Sequence, residues 1–565
     1  MSNLSVNQIT PISGDSLEIT GNISLSGSII PATDGVSTTS SFSLGSPTNA
    51  WKDIYVSNGT IYFLGSGGTV TSQIGGAGTT TYIDGPLSNG FNVTASGPYS
   101  HAEGMNTIAR STGSHAEGSG SQVSITATAA HAEGVGTSAG AVGSHAEGFG
   151  GGSNLGASYS HTEGYQTSIS SFGVASHTEG YQTFAYGTYA HAEGYQTTVG
   201  GTSAHSEGYQ TFANNSYSHA EGSRTTASGQ FSHAEGRETQ TLNSGDHAEG
   251  YKTLAHGTYS HTEGYLTTSS GQFSHAEGST NTAEGYASHV EGRNSFAIGD
   301  YSHAEGYQAA SIGEYSHAEG YASIASGSAS HAEGFGSVTS GSYSHAEGRS
   351  TTVGDYSHAE GEFTISTGIG SHTEGNSTQA VGDNSHAEGT ETISLGLSSH
   401  AEGYQTSASG DYSHAEGFDS VSSGVYSHAE GSQTLAQGGW SHAEGKSTQA
   451  LGSGSHAEGN TTIALGNYSH AGGVGTVASG SYQTVVGSYN THGDTTSPFI
   501  VGGGTGVGNE ADFFKVTDSG SIVVKTTTGA PSWPGVNGEI VPVKIGGTYL
   551  LYVNFGGTWF SASLA

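Results

Sequence analysis

A histidine returns in the same local setting 27 times between His101 and His470, and 22 of the 26 intervals are 14 residues long. Three intervals are 16 residues (His115 to His131, His145 to His161, His161 to His177) and one is 13 (His345 to His358), differences that a turn can absorb. Only His256 and His492 fall outside this register. Self-similarity at a fixed short period marks a chain built from stacked copies of one supersecondary unit. Fourteen residues are too few for a strand, a helix and two loops. They suit two short strands and two tight turns, which is one coil of a β-solenoid.

In a typical unit, Tyr189-Ala190-His191-Ala192-Glu193-Gly194-Tyr195-Gln196-Thr197, residues two apart share a strand face. Histidine and glutamate therefore point to one side. The positions before and between them are small, usually Ser and Ala, with Thr162, Thr178, Thr262, Thr373, Ser206 and Val290 in place of the alanine. That face lines a thin coil interior, where neighbouring strands leave no room for bulk, and glycine takes the turns. Two residues before the histidine, 15 of the 27 copies are aromatic, including Tyr99, Phe231, Phe273 and Trp440. Four residues after it come Tyr195, Tyr251 and Phe335, but also Arg237, Arg293, Arg349, Lys446 and Glu362, which marks a solvent-facing corner. The glutamate fails only once, at Gly472.

The 95 glycines and 32% hydrophobic content rule out an ordinary globular core of this length, and the regular period sets the chain apart from a disordered one. A coil lined by Ser, Ala, Thr and Gly buries little apolar area, at roughly 25 cal/mol per Å², so association with other copies is the expected remedy. If the His-Glu face meets the same face of other copies, its strict recurrence follows from a shared interface. At about 4.8 Å per coil, the 27 coils make a rod of roughly 130 Å.

A formal charge of -36, from 47 acidic and 11 basic residues, speaks against a nucleic-acid partner. Of those acids, 26 are the repeated glutamate, so protonating every partner histidine would carry the chain from -36 to -10. Without cysteine there are no disulfides and no thiolate metal ligands. The start Met1-Ser2-Asn3-Leu4-Ser5-Val6-Asn7 carries neither the basic stretch nor the apolar run of a secretory signal, and no apolar run is long enough to span a bilayer. No membrane insertion is expected.

The unit Ser-His-Ala-Glu-Gly, followed by a Thr-x-Ala-x-Gly segment, resembles the head repeats of trimeric autotransporter adhesins, whose usual form is Ser-Val-Ala-Ile-Gly. The resemblance covers residues 99 to about 480. It implies an all-β fold, a left-handed parallel β-roll of about 27 coils in a homotrimer, with the Val and Ile slots in the trimer core. Those slots are filled by His101 and Glu103, His191 and Glu193, His219 and Glu221, His303 and Glu305, His345 and Glu347, His414 and Glu416, and His456 and Glu458. With polar residues in them, imidazole N–H groups of one subunit are expected to donate to carboxylates of the next, as ladders along the three-fold axis.

The flanks divide into an amino-terminal β-rich attachment region (1–98), the repeat shaft (99–480), a capping β segment (481–528) and a carboxyl-terminal β tip (529–565). After the shaft there are no heptads for a stalk and no series of lipid-facing strands for an outer-membrane anchor. Leu44-Gly45-Ser46-Pro47 and the run from Trp51 to Phe63 look like segments of bacteriophage tail fibres, and Ser497 to Val516 looks like a segment that closes such rolls. The expected function is a virion fibre, with an attachment protein of the virion at the amino-terminal end and a cell-surface glycan or protein receptor at the tip. Tyr549, Tyr552, Phe555, Trp559 and Phe560 are the candidate receptor contacts. The alternative is a bacterial surface adhesin or self-assembling extracellular filament.

His-x-Glu on one strand face also offers metal ligands. Regular recurrence along a rod is better matched by paired groups at a subunit interface, so no metal or cofactor is expected. Catalysis needs one distinctive constellation in a pocket, which evenly spaced groups do not supply. Gly502-Gly503-Gly504-Thr505-Gly506 lacks the Gly-Lys-Ser/Thr of a phosphate loop and reads as a turn. The aromatic rows suit either packing along the stack or glycan contact.

Overall fold

The computed structural model describes residues 86–564 apart from 350, 351 and 533, together with the backbone of three strands between residues 60 and 84. The chain forms two units, Met1–Gly85 and Pro86–Ala565. In the first, Thr60–Leu64, Val70–Ala77 and Thr80–Asp84 form an antiparallel meander with Val70–Ala77 at its centre. Leu44 to Pro47 and Trp51 to Gly59 lie outside the described residues.

The second unit contains a parallel β-solenoid, and the described residues include no helix. Each coil contributes a strand of up to five residues headed by the histidine, such as His191–Tyr195, and a two-residue strand, such as Thr198–Val199. Every strand hydrogen-bonds to its counterparts in the coils before and after, so identical positions lie in line: His191 beside His205, Glu193 beside Glu207, Thr198 beside Phe212. The 27 histidine-headed strands are joined by Leu87–Phe91 at one end and by Thr484–Ser488 and Phe499–Gly503 at the other, 30 coils in all.

The interior is as thin as the small residues require. Ala192 from the long strand and Val199 from the short one are both fully buried, and the inward positions along the shaft are mostly alanine, serine and threonine. The serine before the histidine is buried for a reason of its own: its hydroxyl bonds the carbonyl three residues back in the turn, as in Ser232 to Gly229 (2.7 Å) and Ser399 to Gly396 (2.7 Å). That bond closes the turn which aims the histidine strand.

The glycine ending Ser-His-Ala-Glu-Gly is fixed by two constraints. Gly194 has φ +111°, and a Cβ there would lie 2.2 Å from the carbonyl oxygen of Gly208 in the next coil. Each coil also turns through left-handed corners occupied by ordinary residues, such as Tyr189 (φ 57°) and Gln196 (φ 55°). The three long intervals put their extra residues into a turn, where Ile125, Leu155 and Phe172 are 74%, 68% and 78% exposed.

At the carboxyl-terminal end the interior becomes larger and more apolar. Gln483 replaces the buried serine and bonds the carbonyls of Asp494 (2.9 Å) and Ser497 (2.7 Å), while Val485 and Ile500 are fully buried. The antiparallel strands Asp512–Val516 and Ile522–Val524 then continue from Phe499–Gly503, ending the parallel ladder. Ile540–Ile545, Thr548–Phe555 and Thr558–Leu564 form a terminal antiparallel meander.

Candidate subunit interface

The histidine and glutamate of each coil lie outside the solenoid, one row of each along the long-strand face. Ladder register places successive imidazoles one strand spacing apart, and all 26 consecutive pairs from His101 to His470 stack. Ring centroids are 4.6 to 5.0 Å apart, with the least parallel pair, His331 and His345, tilted by 26°. The result is one continuous column of 27 imidazoles, which spacing alone did not reveal.

The glutamates do not close tight hydrogen bonds onto this column. Nε2 lies 3.4 Å from the carboxylate in His101–Glu103, 3.8 Å in His191–Glu193, 3.6 Å in His219–Glu221, 4.0 Å in His345–Glu347 and 3.5 Å in His414–Glu416. His303 and Glu305 keep the same register. Near the end the pairing shifts by one coil: His456 faces Glu444 (3.9 Å), and His470, whose own coil has Gly472, faces Glu458 (3.3 Å). Beyond His101, every Nε2 in the column is buried without a hydrogen-bond partner, whereas Nδ1 keeps solvent access.

This arrangement modifies the expected ladder. The carboxylate and Nε2 already face one another within the chain, so the ring nitrogen left for a neighbouring copy is Nδ1. About a third of each histidine side chain is exposed, and Glu193, Glu221 and Glu347 are 44%, 44% and 48% exposed, which leaves both rows open on one face. Burial, and then the flanking histidines, push His131, His177 and His205 below the ordinary imidazole value against the opposing pull of nearby glutamates. The same causes bring His261 and His303 down to about 4. At these histidines packing favours the neutral form, so their share of the swing from -36 toward -10 is resisted near neutral pH.

Other rows run along the shaft. The side chains of Gln166, Gln182, Gln196 and Gln210 form an amide ladder with 2.9 Å bonds, beside stacked Tyr165, Tyr181, Tyr195 and Tyr209. Next in the amide row come Arg224, Glu238 and Lys252, paired at 2.9 and 3.5 Å. On the short-strand face, the position seven residues after each histidine carries no charged residue in any of the 27 copies. That row includes Phe184, Phe212, Ile324, Ile393, Leu435 and Ile463; its alternation of hydroxyl and apolar residues hid it from a search for fixed motifs.

The tip aromatics do not form one cluster. Strand register puts Tyr549, Phe555 and Phe560 on one face of the terminal meander, 46%, 60% and 57% exposed, with Phe555 and Phe560 6.2 Å apart. Tyr552 and Trp559 belong to the other face, where Asn554 is buried.

Residues 282–302, 443–469 and 457–482 match the family described as YadA head domain repeat. The shaft is thus similar to the head-repeat region of trimeric autotransporter adhesins, as the Ser-His-Ala-Glu-Gly unit implies. No curated protein matches the chain.

Proposed function

We propose that the protein is a non-enzymatic, homotrimeric extracellular fibre in which the His-Glu face is the seam between three copies and the solenoid is a rigid spacer. The observation that carries this reading is the uninterrupted column of imidazoles with its row of glutamates, half-open along the length of a coil stack whose thin interior is filled by small side chains, mostly alanine, serine and threonine. Three chains sharing that face would cover both rows and give the exposed Nδ1 atoms carboxylate partners. The amino-terminal unit attaches the fibre to a virion, and the terminal meander presents Tyr549, Phe555 and Phe560 to a glycan or protein receptor. A bacterial surface adhesin is the second reading, favoured by the match of the coils to the YadA head domain repeat.

Immunogold labelling with antibody to the purified chain separates the two. Labelled appendages on phage particles support the virion fibre, and label confined to bacterial surfaces supports the adhesin. Electron micrographs of the purified protein are expected to show rods of about 145 Å, from 30 coils at about 4.8 Å each; compact globules would overturn both.

A further inference from the structure

We infer that the His-Glu face is a linear binding site for tetrahedral, borderline-soft divalent cations of the Zn²⁺ type, held at alternate coils. Sequence periodicity alone pointed away from metal, but the geometry points toward it. In ten places among the described residues, three potential ligand atoms from adjacent coils lie within 4.8 Å of one another, as in His115, Glu117 and His131 or His317, Glu319 and His331, where a carboxylate sits between two imidazoles, either of which could share an ion with it. The decisive distance is that between Nε2 and the carboxylate of the same coil. It is 3.4 Å at His101 and His115 and 3.5 Å at His145, His275 and His414, and 3.6 to 4.0 Å in the other same-coil pairs that face one another, such as His219 and His345.

Those separations are too long for a good hydrogen bond. The shortest of them equal the edge of a tetrahedron around zinc, roughly 3.4 Å for zinc–nitrogen and zinc–oxygen distances of about 2.1 Å, and a small rotation of the glutamate side chain closes the longer ones to it. An octahedral magnesium ion would need an edge of roughly 2.9 Å. Nε2 is also unclaimed, because it is buried without a hydrogen-bond partner throughout the column beyond His101, and with the ring proton on Nδ1 its lone pair is free for an ion. Carboxylates recur one coil apart in register, which leaves a row of like charges that divalent ions would neutralise.

The stacking sets the ligand set and the spacing. Successive rings are offset by 4.7 Å, as in His303 and His317, which exceeds the roughly 4.2 Å that two nitrogens can span through one ion. Each ion therefore takes one imidazole. Its second ligand is the glutamate of the same coil, and its third is the glutamate of the preceding coil, a reach seen where Glu444 faces His456 and Glu458 faces His470. A fourth position stays open to water. Using two glutamates per ion fills every second coil, or roughly 13 ions per chain. All three protein ligands come from one chain, so the inference is independent of the trimer reading.

The test uses the full-length, untagged protein, stripped with chelator and titrated with Co²⁺ as a spectroscopic probe. Expected are the intense visible bands of tetrahedral cobalt, saturation near 13 ions per chain, displacement by Zn²⁺, and little displacement by equimolar Ca²⁺. A variant carrying Glu103→Gln, Glu117→Gln, Glu133→Gln and Glu147→Gln, in the coils that include three of the shortest separations, keeps the side-chain shape, and is expected to fold as the parent by circular dichroism while losing about two ions. Octahedral spectra, equal competition by Ca²⁺, or an unchanged ion count in the folded variant would each overturn the inference.

Discussion

The glycine of Ser-His-Ala-Glu-Gly gives the sharpest energetic prediction, because one substitution probes the coil-to-coil approach and another supplies its control. In Gly194→Ala the new Cβ meets the Gly208 carbonyl oxygen at 2.2 Å and its nitrogen at 2.9 Å, with φ held at +111°. Such a backbone conformation costs an L-residue about 1–3 kcal/mol. Relieving the overlap means parting two coils locally, at about 1 kcal/mol for each of roughly two ladder hydrogen bonds. The total is about 3–5 kcal/mol. Gly113→Ala is the control: φ is +63° and nothing lies within 4 Å, so only the left-handed conformation is charged, about 1 kcal/mol.

Stability in a solenoid is local, so a global melting temperature would dilute the effect over 30 coils. Hydrogen exchange read by mass spectrometry on peptides from the coils of His191 and His205 is the suitable assay. At a factor of ten per 1.4 kcal/mol, Gly194→Ala should lower protection there roughly 100- to 3,000-fold, and Gly113→Ala about fivefold in its own coil. Equal, small effects for both substitutions would refute the argument that backbone approach between coils fixes the glycine.

Other expectations concern the corners and the imidazole column. Ala287→Gly, at a left-handed corner (φ 51°), should stabilise its coil by about 1 kcal/mol in the same exchange assay. Acid should loosen the shaft. His261 and His303 fall to about 4 in the folded chain, from 6.5 unfolded, under burial and neighbouring histidines and against Glu277 and Glu305. The unfolded chain then binds more protons between those values, so stability is full above about pH 6.5, declines toward pH 4 and levels below it. Denaturant titrations at pH 7.5 and pH 4.5 check this, and equal midpoints would contradict it. The double substitution His303→Val with Glu305→Ile should leave the oligomer intact by light scattering, because apolar replacement of a polar pair is often neutral or stabilising. Dissociation in that variant, with both single variants intact, would count against the seam.

Much of the shaft was legible because the chain supplies 27 copies of its own unit. Alternation placed Ser and Ala inside and His and Glu outside, and Ala192 and His191 occupy those positions. What the repeat could not disclose lies where the physics is set by the neighbouring coil or by a missing motif. Leu87–Phe91, Thr484–Ser488 and Phe499–Gly503 are coils without the His-Glu pair, so a search keyed on histidine passes over them. The left-handed corners at Tyr189 and Gln196 carry no glycine or asparagine to announce them. The stacking that buries Nε2 arises from strand spacing, and it holds histidines such as His131, His205 and His303 below the ordinary imidazole value beside their carboxylates. At the tip, composition counted five aromatics, but strand register divides them between two faces.

The central claim is that the His-Glu face joins copies of the chain, and cysteine cross-linking tests it most directly because the native sequence has no cysteine. Glu305→Cys places one thiol on the proposed seam, and Ile393→Cys places one on the short-strand face. Treatment with a short bifunctional thiol reagent should convert Glu305→Cys to covalently linked species on a denaturing gel, while Ile393→Cys stays monomeric. Linkage at Ile393→Cys with none at Glu305→Cys would contradict the seam and put the interface on the other face of the solenoid.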